Sequence, residues 1–276
     1  MLRLWRDRLL VSLAPDAVSW LRLTGMFRPR VIAKRTVAIT RENAQEPWSG
    51  AVDVLQQEAE QWRRDRLAVT VVLSNHFVRY VVVPPLDRPG SRDEAIALAR
   101  FHFAKIHGER AAGWHVRLAT PAAAHTTPAS AIDGALLEAL KTCFQQGKPR
   151  LVSVQPYTMS AFNFWRRRIE NEGAWLLLVE PGTACLALLA GSEWVAIQNI
   201  RSGYARSETW PALLDREKHR AMVPQVPKTV FTRSALPVSS ALGARKDWHF
   251  VVLDAPELAG LGSDELEPYA MAAHAA

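Results

Sequence analysis

Cysteine is nearly absent. Cys143 and Cys185 are the two in 276 residues, and neither has a CxxC partner or metal-ligand spacing. That excludes a disulfide framework and a zinc module. It fits a reducing compartment, with both thiols in small buried roles. Also missing is any run of about 18 apolar residues, so no helix is expected to span a bilayer. The opening residues, MLRLWRDR, have no continuous apolar core and no cleavage site, and do not read as a secretory signal. The chain is therefore expected in the cytoplasm. The common catalytic signatures are missing too: there is no GxSxG, GxxxxGK(S/T), HExxH or GxGxxG. His102 and His107 are five apart on one expected helix, off the spacing that would let them share a metal. Asp87, Asp93 and Glu94 are explained by helix capping. His76 reads as a turn residue or partner contact, not a base. No catalytic and no metal-binding residue is assigned.

Charge is plentiful but unsorted. The chain carries 34 Lys and Arg against 27 Asp and Glu, a net charge of +7. That balance permits nucleic acid, an anionic membrane or an acidic protein. The densest clusters, Arg63-Arg64-Asp65-Arg66 and Arg166-Arg167-Arg168, fall where amphipathic helices should end, and the helix dipole favours cations there. No basic and aromatic stretch resembles an RNA-binding strand, so no nucleic-acid partner is expected. Leu2, Leu4, Trp5 and Leu9 alternate with Arg3, Arg6 and Arg8, which leaves peripheral membrane contact open. Ten tryptophans are many for this length. Trp20, Trp114, Trp175 and Trp194 fall in expected strands and read as core. Trp5, Trp48 and Trp210 fall near loops or ends, where partner contact is open, though for any one tryptophan burial in the core leads.

Periodicity divides the chain into two halves that each open with three strands. Leu9–Leu13, Val18–Leu23 and Val31–Ile39 come first, with a turn at Ala14-Pro15-Asp16. A helix over 47–66 follows, in which Val52, Leu55, Ala59 and Trp62 recur at helical spacing with Gln and Glu opposite. Leu67–Leu73 is nearly all apolar, as in a strand covered on both faces. Val78–Val83 ends at Pro84-Pro85, which cannot continue a ladder. Arg92–His107 is helical, with Ser91 and Glu94 spaced as a capping box and Gly108 as its stop. Strands at 113–119 and 130–132 flank a loop at 121–128. Asp133 caps a helix that runs to Gln146, then Leu151–Val154 is a strand and 157–170 a helix. From Gly173 the pattern restarts with strands at 176–179, 184–189 and 193–199, a helix near 211–222, a strand at 229–232, a short helix near Ser239 and a strand at 250–253. Residues 257–276 read as a terminal helix (263–273) or a loose tail.

The block LAVTVVLSNHFVRYVVVPP at 67–85, followed by helix and strand, resembles the actin-like assembly proteins of type IV pili (PilM and MshI). It is similar as well to the cytoplasmic part of the type II secretion L-protein (GspL). The resemblance implies an α/β, actin-like (ASKHA, ribonuclease H-like) duplicated βββαβαβ core with an inserted small α/β subdomain. The domains would be 1–172, with the insert at about 86–132, then 173–256, then a terminal segment at 257–276. In such folds two hairpin turns grip a nucleotide's phosphates through backbone N–H groups, and glycine lets the chain approach. Ser12 stands where the magnesium-holding Asp belongs, Ala14 where Gly belongs, and Pro15 removes a donor. The second turn, Glu180-Pro181-Gly182-Thr183, keeps an acid and the Gly but adds another Pro. The adenosine-side turn, Arg233-Ser234-Ala235, has no Gly. Asp16, Ala17, Gly182 and Thr183 are the residues that would meet a phosphate if ATP with magnesium bound. The departures argue against hydrolysis. The implied role is a cytoplasmic scaffold recruited to the inner face of the inner membrane. Its partner would be a PilN-like or M-protein-like inner-membrane assembly protein, with the assembly ATPase and a homodimer as further partners. The alternative is an active ATP-binding and hydrolysing enzyme with divergent phosphate loops. A third reading, resting on charge alone, is a membrane-surface or nucleic-acid binder whose affinity falls steeply with salt.

Overall fold

The computed structural model describes residues 7–25, 28–40, 46–85, 91–119, 125–169, 173–191, 193–201, 207–221, 223, 225–236 and 247–276. In chain order the main elements are β1 (Asp7–Leu13), β2 (Ala17–Thr24), β3 (Arg30–Ala38), α1 (Ser49–Glu60), β4 (Leu67–Leu73), β5 (Val78–Val83), α2 (Arg92–His107), β6 (Trp114–Leu118), β7 (Thr127–Asp133), α3 (Gly134–Cys143), β8 (Arg150–Pro156), α4 (Tyr157–Ile169), β9 (Ala174–Glu180), β10 (Thr183–Ala190), β11 (Glu193–Arg201), α5 (Trp210–Arg220), β12 (Thr229–Ser234), β13 (His249–Val252) and α6 (Ala270–Ala273). The chain forms two compact units. One is Met1–Phe77, Asp133–Phe164 and Ala255–Ala276; the other is Val78–Ile132 and Trp165–Asp254.

The first unit holds a sheet of order β3-β2-β1-β4-β8 and the second a sheet of order β11-β10-β9-β12-β13. Directions match strand for strand. β1, β2 and β3 form an antiparallel meander, and β4 and β8 add in parallel to β1 and β4 in turn. β9, β10 and β11 repeat the meander, with β12 and β13 added in the same sense. Parallel neighbours need a crossover, which is why a helix separates β3 from β4 and β11 from β12. The duplicated actin-like core is therefore present.

Burial follows the sequence pattern. Every residue of β9 is buried, as is every residue of β10 but its last, as in a sheet covered on both faces. β3 alternates less and is largely exposed, as an edge strand. The inserted sheet has the order β5-β7-β6. Its core joins Val81, Val83, Val116, Ala129 and Ala131 to the inner face of α2, Ala95, Ala99 and Phe103. The Ser91–Glu94 capping box is formed in both directions.

Several expectations change. The helix expected over 47–66 stops at Glu60, because the next amides bond three residues back instead of four (Trp62 to Ala59, Arg63 to Glu60). β7 begins at Thr127, taking up Thr127 and Pro128 from the expected loop. A proline is tolerated at the start of a strand. Trp210, where partner contact is the lesser reading, is fully buried in the core of the second unit with Trp175, Leu213 and Val230. The helix expected near Ser239 and the contact left open at Trp5 lie outside the described residues.

Residues 257–276 form two 3-10 turns, Ser263–Glu265 and Glu267–Tyr269, and the single turn α6. They lie against the first sheet: Leu258, Tyr269, Ala272 and Ala273 pack on Leu10, Leu21, Leu23 and Val31. The Val31 N–H donates to Ala259 O at 2.8 Å. Gly260 makes this approach at φ +83°, where a Cβ would stand 2.7 Å from Val31 O.

One core residue is mismatched. Thr232 on β12 is fully buried on the same side of its strand as Val230, and its Oγ1 has no partner among the described residues. Thr232→Val is expected to raise stability by about 1 kcal/mol, since it removes a hydroxyl that lost its water on burial. Urea melts would read the gain; a loss of similar size would reveal a partner for the hydroxyl.

Candidate functional site

The resemblance places chemistry at three turns, and each can be read by itself. At the first, Leu13 pairs with Val18 across the β1–β2 ladder. The Ala14 N–H donates to Ala17 O at 3.0 Å, and Pro15 has no N–H. Of the three turn residues only Asp16 brings an N–H that no described carbonyl takes. Its own carbonyl accepts from Ile39 N at 2.8 Å, and its carboxylate faces solvent. Ala17 is half-buried at the start of β2. Ser12 is 5% exposed and its Oγ donates to Ser19 O at 3.3 Å. It is a neutral hydroxyl turned into the ladder, where a magnesium site would want a carboxylate.

The second turn is a two-residue connection between Glu180 and Thr183. Pro181 and Gly182 are exposed, and Gly182 sits at φ +79°. Proline followed by glycine at positive φ is the pairing a type II turn requires. The glycine thus serves the turn itself, whether or not a ligand approaches. Thr183 is buried, and its Oγ1 donates to Ile200 O at 3.4 Å. At the third turn β12 runs on to Ser234. The Ser234 Oγ donates to Leu236 O at 2.8 Å and accepts from Leu236 N at 3.0 Å. The Ala235 N–H is taken by Val179 O at 3.0 Å. At all three turns the hydroxyl is spent on the protein's own backbone. Asp16 and Ala17 lie in the first unit, Gly182 and Thr183 in the second.

The parallel strands β1, β4 and β8 end near a further polar group that sequence reasoning read only at His76. The Ser74 N–H donates to Leu13 O at 2.9 Å. Ser74 Oγ lies 3.0 Å from His76 Nδ1 and accepts from the His76 N–H at 3.2 Å. Thr158 Oγ1 donates to Asn75 Oδ1 at 2.7 Å, and Ser74, Asn75 and Thr158 are fully buried. These bonds hold the chain where it leaves the first sheet, which agrees with His76 as a turn residue.

Other chemistry is thin. Among the described residues no group of three or more His, Cys, Asp or Glu could hold a metal. Burial pushes the Cys143 thiol up to about 11, so it stays protonated and unreactive near neutral pH. Cys185 is buried. No described helix is long and apolar enough to cross a membrane.

No protein-family model matches the chain, and no curated protein matches it in sequence. Solved structures do match it in three dimensions. A chain of the PilM-PilN type IV pilus biogenesis complex superposes with a TM-score of 0.68, at 14% identity, over 97% of this chain and 96% of that one. A Bacteroides thetaiotaomicron protein described as having an actin-like ATPase fold and unknown function gives 0.62 at 8% identity, over 97% and 95%. The chain has the actin-like ATPase fold. The cytoplasmic domain of EpsL, an inner-membrane component of the Vibrio cholerae type II secretion system, gives 0.57 at 15% identity, over 96% and 94%. The actin-like fold here is thus matched end to end, inserted sheet included. At these identities the likeness speaks for the fold, and the turns must be judged on their own residues.

Proposed function

We propose that this chain is an actin-like scaffold of a type IV pilus or type II secretion assembly, working at the cytoplasmic face of the inner membrane. It would hold the cytoplasmic segment of a PilN-like or M-protein-like inner-membrane partner. The observation that carries this reading is the mutual coverage with the chain from the PilM-PilN complex, 97% of one and 96% of the other. The turns support the scaffold side of it. Phosphate needs free backbone donors and magnesium needs a carboxylate. Here two prolines remove donors, and Ser12, Thr183 and Ser234 spend their hydroxyls internally. Asp16, Ala17, Gly182 and Thr183 remain the positions where a phosphate would have to sit.

Two measurements test this. Crosslinking in cells that express the chain, followed by purification, is expected to recover a single-pass inner-membrane assembly protein. Melting of the purified chain in millimolar Mg-ATP is expected to leave Tm unchanged, because a ligand that binds only the folded state must raise it. A magnesium-dependent rise of several degrees would put the ATP-hydrolysing alternative first. Recovery of no pilus or secretion membrane protein would remove the scaffold reading.

A further inference from the structure

We propose that the end of the first sheet where β1, β4 and β8 begin is a docking surface for the anionic headgroups of a lipid bilayer, carried by Arg64, Arg66, Lys148 and Arg150. The proposal goes beyond partner holding and stands whether or not a pilus or secretion protein is recovered.

The topology gathers these cations. The three parallel strands share a starting end, with Asp7 opposite Leu67 and Ala68 opposite Arg150. The connections into β4 and β8 therefore arrive side by side, at the end away from the β1–β2 turn. They are tied together. The Lys148 N–H donates to Arg63 O at 3.0 Å. Arg63 donates through Nε to Gln146 O at 3.1 Å and through Nη2 to Gln146 Oε1 at 2.8 Å. The approach is close: a Cβ on Gly147 would stand 3.1 Å from Arg63 O. Two basic pairs that are distant in sequence, Arg64 with Arg66 and Lys148 with Arg150, thus become one surface.

The acids of this end are already neutralised. Arg22 takes Asp7 at 2.9 Å and Asp65 at 2.6 Å, and Arg63 takes Glu60 at 2.8 Å. Arg64, Arg66, Lys148 and Arg150 are exposed, and their side chains have no ion-pair partner among the described residues. The helix dipole, which the sequence reading invokes for the cluster at 63–66, does not account for them. α1 ends at Glu60 with no basic residue in its last turn, and the field of a helix falls off within that turn. Like charges held together repel, and an anionic surface relieves the repulsion.

A bilayer fits this surface better than nucleic acid does. The aromatic rings beside it, Trp62 and Phe144, are 3% and 7% exposed, which leaves no face for a base to stack on. The chain also reaches β1, at this same end, through the sequence Leu2-Arg3-Leu4-Trp5-Arg6. Alternating apolar and basic residues suit the boundary between headgroups and acyl chains.

The test is cosedimentation of the full chain with lipid vesicles at low salt. Vesicles of phosphatidylcholine mixed with phosphatidylglycerol are expected to carry the chain down, and vesicles of phosphatidylcholine alone to leave it in solution. A net charge of +7 would by itself give that result, so two charge-matched variants decide. The fourfold variant Arg64→Gln, Arg66→Gln, Lys148→Gln, Arg150→Gln is expected to weaken binding at least ~10-fold with an unchanged melt. The variant Arg92→Gln, Arg100→Gln, Lys105→Gln, Arg110→Gln removes the same charge from exposed positions on α2 and the turn after it. It is expected to lose less than ~3-fold. The pairs Arg64→Gln, Arg66→Gln and Lys148→Gln, Arg150→Gln are each expected to fall between, which keeps the test decisive should the first fourfold variant fail to fold. No binding to the mixed vesicles, equal loss in the two fourfold variants, or full binding by both pairs would overturn the proposal. So would a DNA duplex that strips the chain from the vesicles at equal phosphate concentration.

Discussion

Removing residues 257–276 is expected to unfold the first unit. Read from the sequence, this segment is a short helix or a loose tail. In the structure it is the cover of a sheet face. Leu10, Leu21 and Leu23 are at most 1% exposed, and Leu258, Tyr269, Ala272 and Ala273 are packed on them. Uncovering several large apolar side chains costs about 1.5–3 kcal/mol each. The sum is comparable to the whole stability of an ordinary domain, about 5–15 kcal/mol. The truncated chain is expected to lose its cooperative melt and to bind a hydrophobic dye. Ala272→Glu, which buries one unpaired charge at a fully buried position, is expected to cost about 3–5 kcal/mol with the chain otherwise intact. A truncated chain that melts like the whole one would show that the segment is not needed to cover the sheet.

Glu58→Ala is expected to destabilise the first unit by about 2–4 kcal/mol. Glu58 is 8% exposed on α1 and accepts three bonds: from Trp20 Nε1 and Gln61 Nε2, both at 2.8 Å, and from Arg35 Nη1 at 3.0 Å. Trp20 is itself 6% exposed and packs edge to face on Trp62 at 5.2 Å. Without the carboxylate its indole N–H is buried with no acceptor, and that loss is the largest single part of the cost. Glu58→Gln keeps an oxygen for the indole but gives up the charge opposite Arg35, and is expected to cost about half as much. Urea denaturation of the three proteins would check the order; an alanine variant as stable as the parent would remove Glu58 as an anchor. The second unit has a counterpart. Glu217 on α5, 5% exposed, accepts from Gln198 Nε2 of β11 at 2.7 Å and from Arg216 Nε at 2.8 Å. In each unit the helix after the third strand carries a buried acid bonded to that strand.

Much of the fold was legible because its elements are locally marked. β5 and α2 begin and end where the sequence reading places them, between Pro84-Pro85, the Ser91 box and Gly108. The restart at Gly173 was legible in the same way, and the duplicated order of the two sheets followed from it. Glu58 was not legible: glutamate was counted with the polar side of α1, although 55, 58 and 62 share a face. What decides its place is the indole of Trp20, which is distant in sequence. The partner contact left open at Trp210 fails for a related reason. Being close to a helix start says nothing of the sheet beneath. The closing segment is rich in alanine and has little periodicity, so its burial comes entirely from the sheet face it meets. Of the candidate site, the losses were legible as residue types (Ser12, Pro15, Pro181). Where the hydroxyls go instead was not, because a hydroxyl's partner is set by the ladder around it.

The cover of the first sheet also sets an order of events during synthesis. Leu10, Leu21 and Leu23 emerge from the ribosome early, and β8 completes their sheet by Pro156. Ala272 and Ala273, which close the far face, follow only after the β9–β13 sheet has been made. At roughly 5–20 residues per second the open face waits on the order of 10 s. During that interval the nascent chain displays leucines that the finished protein hides, a clear target for a chaperone. The second sheet can mature first, although its strands come later in the chain.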